Sequence, residues 1–240
     1  MTVGVWLVGA RGSVATTVAI GAAAIRSALV PAQGCVTELP GFPGTLPRIA
    51  DLVFGGHDIT DISLRKRAER LSESGVVPAA LPAQLGRDLD AADAEIRPGG
   101  VPVARIVEDL VEFRERHGLS RIVVINVSST EPPAVPRPEF GDLALLEAAG
   151  ADILPSSSRY AYAAFRAGCG YVEFTPSPGP TLPALMESCD RSGARDRSPC
   201  HVRSASRARC RRDRAGGGAP SVRAGGGAAG TGAAGAQRAG

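Results

Sequence analysis

Along the first 187 residues, short apolar runs typical of strands alternate with longer segments typical of helices. The apolar run Val3–Val8 is short and rich in β-branched residues, as expected of a buried strand, and residues 14–29 behind it form an Ala/Val/Ile-rich segment of helical length. The same alternation continues along the chain. Further strands are predicted at residues 52–54, 121–127, 153–154 and 170–174, and helices at residues 61–73, 103–113, 140–149 and 156–167. This order predicts an α/β fold with a doubly wound parallel sheet, in which the continuous apolar run at 121–127 is a central strand.

Three features break or qualify this pattern. Prolines and glycines interrupt residues 31–47, which predicts a loop, and residues 77–100 are rich in Pro and Asp, which predicts a surface excursion with one short helix. The charged positions of the predicted helix at 61–73 are expected to form a solvated face. Ser156 or Ser157 is the expected cap of the helix that begins there.

The composition changes abruptly after residue 187. Residues 188–240 hold 11 of the 27 basic residues and 3 of the 24 acidic ones, with Gly/Ala runs and no apolar period. Such a segment cannot bury enough surface to fold, so we predict a disordered basic tail behind a folded domain of residues 1–187. The tail lacks aromatic residues for base stacking, which disfavours nucleic-acid binding. A shift of reading frame in a GC-rich gene is our preferred explanation of its composition.

Charge and cysteine content limit the partners and the cellular compartment to be expected. Without the tail the chain is mildly acidic, which gives no reason to expect nucleic acid or an anionic membrane as a partner. The chain has five cysteines but no CxxC pair, which predicts a reducing, cytoplasmic setting. The first strand is predicted to begin directly at the N-terminus, so we expect no signal peptide. No apolar run approaches the length of a membrane span.

The turn between the first strand and the first helix carries the clearest candidate chemistry. Gly9 permits a tight turn, Gly12 permits close approach of a pyrophosphate, and Ala15 lets the helix lie close to the sheet. The free N–H groups around Ser13 and Val14 would then face the phosphates at the positive end of the helix. The spacing G-x-x-G-x-x-A is a variant of the dinucleotide-binding fingerprint. The alternative is a structural strand–turn–helix without a ligand.

Acidic and hydroxyl side chains follow two of the predicted strands. Asp58 comes just after the strand at 52–54 and is our preferred partner for a ribose diol, with a turn or helix-cap role as the alternative. Glu38 is disfavoured for that role because it lies in the Pro/Gly loop. Ser128, Ser129 and Thr130 follow the strand at 121–127, where small hydroxyls could contact a cofactor or cap the next helix. No ligand cluster surrounds His57, so we predict that it packs or faces solvent and that the chain has no metal site.

Four segments together resemble the myo-inositol-1-phosphate synthase (inositol-3-phosphate synthase) family, in the shorter form of high-GC bacteria. They are residues 8–17 (VGARGSVATT), 54–59 (FGGHDI), 123–132 (VVINVSSTEP) and 171–179 (YVEFTPSPG), in the family's order and approximate spacing. The match covers roughly residues 1–187. This resemblance implies a Rossmann-like NAD-binding domain.

The resemblance also implies a reaction and a set of cofactor contacts. Family members use NAD to oxidise glucose 6-phosphate at C5, enolise the ketone, close the ring by an aldol step and reduce it to inositol 3-phosphate. The implied cofactor-binding residues are Gly9, Ala10, Arg11, Gly12, Ser13 and Val14 for the pyrophosphate, Asp58 for the adenosine ribose, and Ser128, Ser129, Thr130 and Ser177 for the nicotinamide side.

The main departure from the family is the lack of lysine. The family's catalytic domain supplies several lysines, and family members assemble as homotetramers through that part, whereas Lys66 is the single lysine here. We therefore expect the N-terminal portion of such a synthase, inactive as written, with no catalytic residue of its own. Two alternatives stay open: a non-catalytic nucleotide-binding module with a disordered basic tail, and an unrelated NAD-dependent reductase. The Tyr-x-x-x-Lys pair typical of such reductases is missing at both Tyr160 and Tyr162.

Overall fold

The computed structural model describes residues 2–42 and 46–191. Five parallel strands form one sheet in the order β3-β2-β1-β4-β5. They are β1 (Val3–Val8), β2 (Leu52–Asp58), β3 (Ile96–Pro98), β4 (Arg121–Asn126) and β5 (Gly170–Glu173). The chain winds outward from β1 in both directions, which confirms the predicted doubly wound parallel sheet.

Helices cover both faces of this sheet. Within the described residues they are α1 (Ser13–Arg26), α2 (Leu64–Glu73), α3 (Leu81–Gln84), α4 (Gly86–Asp93), α5 (Val103–Arg116), α6 (Leu143–Ala149), α7 (Ser156–Arg166) and α8 (Pro183–Arg191). None of these helices is both long enough and apolar enough to cross a bilayer.

Two hydrophobic cores follow from the alternation of side chains along β1. Val5 and Leu7 point into a core that includes residues of α1, α2 and α4, whereas Trp6 and Val8 point into a core with residues of α5 to α8. All six residues of β1 are buried. Burial on both faces explains why the strand is a continuous apolar run.

The segment 77–100 differs from its prediction. It contains two short helices, α3 and α4, and ends in the edge strand β3, which pairs with the end of β2. Ile96 is the one buried hydrophobic residue of that three-residue strand, so the sequence carries no run or alternation from which a strand could be recognised.

Two predictions around residues 151–157 are wrong. Residues Ala151–Ile153 form a turn of 3-10 helix rather than a strand. Helix α7 is preceded by Pro155 and has no side-chain cap of its own, because Ser156 and Ser157 are already helical. The hydrogen bonds at that helix end come from a distant residue, as described below.

The helical segment at 103–113 is confirmed and extended to Arg116, but its polar face is not wholly solvated. Asp109 is only 3% exposed and lies within the fold. Helix α8 continues four residues past Glu187, the last residue of the predicted domain. The tail predicted to be disordered lies outside the described residues from residue 192 onward.

Candidate functional site

The carboxyl ends of the strands place one row of residues across the sheet. Val8 of β1 is in register with His57 of β2 and Asn126 of β4, and Asn126 is in register with Glu173 of β5. His57, Asn126 and Glu173 are each at most 2% exposed. Ligands of open α/β sheets bind beyond this edge, so polar groups in and above the row form the candidate site.

The glycine turn lies directly above this row. Gly9 has a φ of 84°, and a Cβ there would lie 2.8 Å from the Cα of Ser128, so only glycine fits without strain. The amides of Gly9 and Ala10 donate to the carbonyl oxygen of His57 at 2.9 and 3.1 Å, and the amide of Gly12 donates to Gly9 at 2.9 Å. Gly12 precedes α1 and offers no side-chain cap. The first N–H groups of α1 are therefore available to an anion.

A cavity of about 550 Å³ borders this turn. It extends from the end of β2 across β1 to the start of α7. The predicted site residues that line it are Gly9, Gly12, Ser13, Val14, Asp58, Ser128 and Ser129. The fold thus brings together the glycine turn, the acid after β2 and the hydroxyls after β4.

Ala10 and Arg11, also predicted for the pyrophosphate, do not line the cavity with their side chains. Ala10 is 3% exposed and packs into the core on the α1 side of the sheet. The Arg11 side chain turns to Asp93, with 2.9 Å between Nε and Oδ1. What these residues bring to the turn is their backbone amides.

Thr130 and Ser177, predicted for the nicotinamide side, also lie outside the cavity lining. Thr130 is exposed. Ser177 is 6% exposed, and its hydroxyl accepts a hydrogen bond from the amide of Glu131 at 3.2 Å and lies 2.8 Å from the hydroxyl of Thr175. The Ser177 hydroxyl is thus hydrogen-bonded to other groups of the protein.

Asp58 has the turn role that was its alternative prediction, and it also lies at the cavity. Its Oδ2 accepts from the amide of Arg11 at 2.7 Å, and its Oδ1 accepts from the amide and hydroxyl of Thr60 at 2.8 and 2.7 Å. The carboxylate therefore holds the glycine turn and its own turn while it borders the cavity. Oδ1 accepts two hydrogen bonds and Oδ2 accepts one, so Oδ2 has a second lone pair that can accept from a ligand hydroxyl.

A buried polar cluster lies beneath the turn. Trp6 donates its indole N–H to Nδ1 of His57 at 3.3 Å, so the other ring nitrogen carries the proton and donates to Asp109 at 3.0 Å. Arg105 completes the cluster with two bonds to Asp109, at 2.6 and 3.2 Å. Burial lowers the pKa of His57 from its ordinary 6.5, against the opposing effect of Asp109. His57 therefore packs within the fold, which is one of the two roles predicted for it, and its ring is neutral.

The β4 and β5 ends are joined by a second network. Asn126 accepts from the amide and hydroxyl of Ser128 at 3.2 and 2.7 Å and donates to both carboxylate oxygens of Glu173 at 2.9 and 3.2 Å. Glu173 also accepts from the Tyr171 hydroxyl at 2.9 Å and from the Thr175 amide and hydroxyl at 3.0 and 2.7 Å. This network fixes Ser128 at the cavity wall.

Glu131 replaces the missing cap of α7. Its carboxylate accepts from the amide of Ser157 at 3.3 Å and also from the Ser157 hydroxyl. Ser157 in turn accepts from the amide of Gly179 at 2.9 Å. A negative charge is favourable at this helix end, and Glu131 brings it to the cavity wall.

Several cavity residues have no signature in the sequence. Thr60 follows Asp58 and could have been found with it, but Gly99, Gly100 and Tyr160 come from distant segments. Arg67, predicted on a solvated face, instead borders the cavity and donates to the carbonyl oxygen of Arg11 at 2.9 Å. Only the tertiary arrangement brings these residues to the turn.

The other sequence candidates lie elsewhere. Glu38 accepts from the amide of Ile49 at 2.7 Å and does not line the cavity. Lys66 pairs with Glu69 on the exposed face of α2, at 2.9 Å. Among residues 2–42 and 46–191, no group of His, Cys, Asp and Glu side chains is arranged to hold a metal ion.

Inositol-phosphate synthases and a related protein are among the known proteins that are similar to this chain. Residues 3–98 and 101–195 match the model of the NAD-binding domain of myo-inositol-1-phosphate synthase. Inositol-3-phosphate synthase 1 of Bacteroides thetaiotaomicron is 28% identical over 218 positions, covering 77% of this chain and 50% of its own. Inositol-3-phosphate synthase of Spirodela polyrhiza is 31% identical over 174 positions, covering 61% and 33%. The chain thus spans half or less of the curated relatives it matches.

Two solved structures with the same fold also come from an inositol-phosphate synthase and a related protein. The inositol-3-phosphate synthase of Caenorhabditis elegans superposes with a TM-score of 0.62 at 19% identity, over 80% of this chain and 47% of its own. A myo-inositol-1-phosphate synthase-related protein of Thermotoga maritima superposes with a TM-score of 0.51 at 21% identity, over 78% and 52%. Because both identities are low, these superpositions support only the fold of the chain.

Proposed function

Because the chain belongs to the myo-inositol-1-phosphate synthase family, we propose that residues 3–191 bind NAD at the carboxyl edge of the sheet, as the cofactor-binding part of an inositol-3-phosphate synthase. The matching family domain indicates NAD as the cofactor. The observation that carries the proposal is the glycine turn: it is anchored on the His57 carbonyl and the Asp58 carboxylate and borders a cavity of about 550 Å³.

The pyrophosphate fits the turn between Gly9 and Val14. The amides that begin α1 have no intrahelical acceptors, and Gly12 places no side chain in front of them. Arg67, which already bonds the carbonyl of Arg11, adds a positive charge at the cavity wall. Backbone donors, helix dipole and guanidinium together favour a diphosphate.

The two ends of the dinucleotide have separate partners in this proposal. Asp58 accepts from the adenosine ribose, and Ile59, which is 83% exposed in the cavity lining, offers an apolar surface for the adenine. Ser128 and Ser129 contact the nicotinamide side. Thr130 and Ser177 stay predictions from the sequence and are not part of the cavity site proposed here.

We further propose glucose 6-phosphate as the substrate of the complete enzyme and no turnover by these 240 residues alone. NAD would supply the hydride acceptor for oxidation of the sugar. The charge that develops during enolisation needs cationic groups close to the reacting atoms, and the single lysine, Lys66, lies on the exposed face of α2.

Calorimetric titration of the full chain with NAD tests the binding proposal. Gly12→Val should abolish detectable binding, because its side chain would fill the approach to the first amides of α1 and its Cβ would lie 3.0 Å from the Gly9 carbonyl oxygen. Gly21→Val is the matched control on α1, since a Cβ there meets nothing within 4 Å. Equal binding by the two variants would refute the proposed site.

The proposed lack of turnover is tested by assaying the full chain for conversion of glucose 6-phosphate. NAD binding without turnover supports a cofactor-binding part that needs a catalytic half. Robust turnover by the same chain would overturn this part of the proposal.

A further inference from the structure

We propose that Tyr160 is a ligand-binding residue, whose phenol donates a hydrogen bond to the dinucleotide bound in the cavity beside β2. This inference rests on the proposed function, because it requires that the cavity takes NAD. It adds a contact from α7 that no sequence motif indicates.

Tyr160 is a buried aromatic residue with an unused polar group. The residue is 5% exposed and borders the cavity. Within the described residues its hydroxyl makes no hydrogen bond, yet it is absent from the fully enclosed polar atoms that lack partners. The hydroxyl therefore reaches accessible space, and the space that the residue borders is the cavity.

Its position on α7 supports the same conclusion. Tyr160 follows Ser156 by four residues, so the two side chains lie on one face of the helix, and both border the cavity. The Tyr160 ring lies 5.5 Å from the His57 ring, between centroids, at an angle of 51°. This contact places the phenol close to the β2 end of the site.

Neither of the two nearby carboxylates accepts a hydrogen bond from the phenol; both accept from other groups. Asp109 already accepts from His57 and Arg105, and Asp58 accepts from Arg11 and Thr60. Each of these acids is engaged in holding another part of the fold.

The phenol keeps its proton and can therefore donate a hydrogen bond. Burial raises the pKa of Tyr160, and the nearby acids Asp58 and Asp109 raise it further, against the opposing charge of Arg159. The group is therefore protonated at neutral pH. Buried polar groups in folded proteins are normally hydrogen-bonded, so the missing acceptor is expected from the ligand.

Tyr160→Phe tests the inference because it removes the hydroxyl alone. Tyr162→Phe is the matched control: Tyr162 lies on the same helix, is 6% exposed, and does not border the cavity. NAD is titrated into the full-length wild type and both variants by calorimetry, and their melting temperatures are measured with and without NAD.

Tyr160→Phe should weaken NAD binding by about two- to tenfold, the value of one neutral hydrogen bond. Its melting temperature without NAD should equal or exceed that of the wild type, because the lost hydroxyl has no protein partner. Tyr162→Phe should bind NAD as the wild type does.

Two failures can be told apart. If the wild type does not bind NAD, the proposed function fails and this inference fails with it. If the wild type binds NAD and Tyr160→Phe binds it equally well, the proposed function stands and the role of Tyr160 is refuted. An equal loss of affinity in Tyr160→Phe and Tyr162→Phe would also refute it, since the effect would then come from the helix rather than from the cavity.

Discussion

The ends of β2 and β5 place acidic residues at the same edge of one sheet, but the two acids differ in what they can reach. Asp58 holds the glycine turn and lines the cavity. Glu173 is 2% exposed and is enclosed by Asn126, Tyr171 and Thr175. A position at the carboxyl end of a parallel strand is therefore insufficient for a binding role. A binding role also requires that the neighbouring groups leave part of the carboxylate exposed to the cavity.

The two ends also differ in what holds them. At β2 the cluster of Trp6, His57, Asp109 and Arg105 fixes the strand whose carbonyl anchors the turn. At β5 the acid itself is the centre of the network. Replacing Asp58 at the β2 end should therefore act mainly on ligand binding, and replacing His57 on the pH dependence of stability, whereas removing the acid at β5 should act on folding at all pH values.

The largest effect is expected from Glu173→Ala. The substitution removes the acceptor of the buried Asn126 amide and of the half-buried Thr175, and it leaves the Tyr171 hydroxyl only the carbonyl oxygen of Ser157. This loss should lower the free energy of unfolding by about 3 kcal/mol or more. Denaturant unfolding measures it. Glu187→Ala is the control, because Glu187 forms an exposed pair with Arg191 and should change stability by less than about 1 kcal/mol. Similar stabilities of the two variants would contradict the enclosed role of Glu173.

Asp58→Asn should act on binding instead. The amide cannot accept from both Arg11 and Thr60 as the carboxylate does, and it is a poorer acceptor for a ribose diol. Loss of charge-assisted hydrogen bonds of about 2 kcal/mol corresponds to roughly thirtyfold weaker NAD binding. Calorimetric titration measures the change. An unaltered Kd would show that Asp58 is a turn residue alone.

His57 should make stability depend on pH. Because burial lowers its pKa below the ordinary 6.5, the unfolded chain takes up the proton first on acidification. The stabilisation by neutral His57 is complete above pH 6.5 and is lost as the pH falls below that value, by at most about 1.4 kcal/mol per pH unit.

Denaturant unfolding above and below pH 6.5 measures this dependence. His57→Gln keeps a donor towards Asp109 and should lose less stability on acidification than the wild type does. His117→Gln leaves the buried cluster intact and is the matched control, which should keep the loss. The same acid dependence in wild type and His57→Gln would assign the effect to another group.

Ser177→Ala should have the smallest effect on the ligand. Its hydroxyl is engaged by Glu131 and Thr175 and does not line the cavity, so the variant should bind NAD with a Kd within about twofold of the wild type. A tenfold loss in the same titration would show that the β5 end opens towards the cofactor and would weaken the contrast between the two strand ends.

The regular parts of the fold could be predicted because their patterns are local. The run Val3–Val8 is buried on both faces of the sheet, and the helical spacing from Val103 to Phe113 buries one face of its helix. Edge strand β3 could not be predicted, because three residues with one buried side chain carry no period. The cap of α7 was missed for a different reason: its acceptor, Glu131, lies 26 positions away in sequence.

By itself, the sequence determined the alternating fold, the glycine turn, the acid after β2 and the shortage of lysine, because residue type and spacing along the backbone settle each of these. Tertiary structure alone decided which polar groups stay open to a ligand. Asp58 and Tyr160 border the cavity, whereas Glu173 and Ser177 are surrounded by their neighbours. The physical reason is that a buried polar group bonds to whichever partner the fold brings within reach, and that partner can come from any part of the chain.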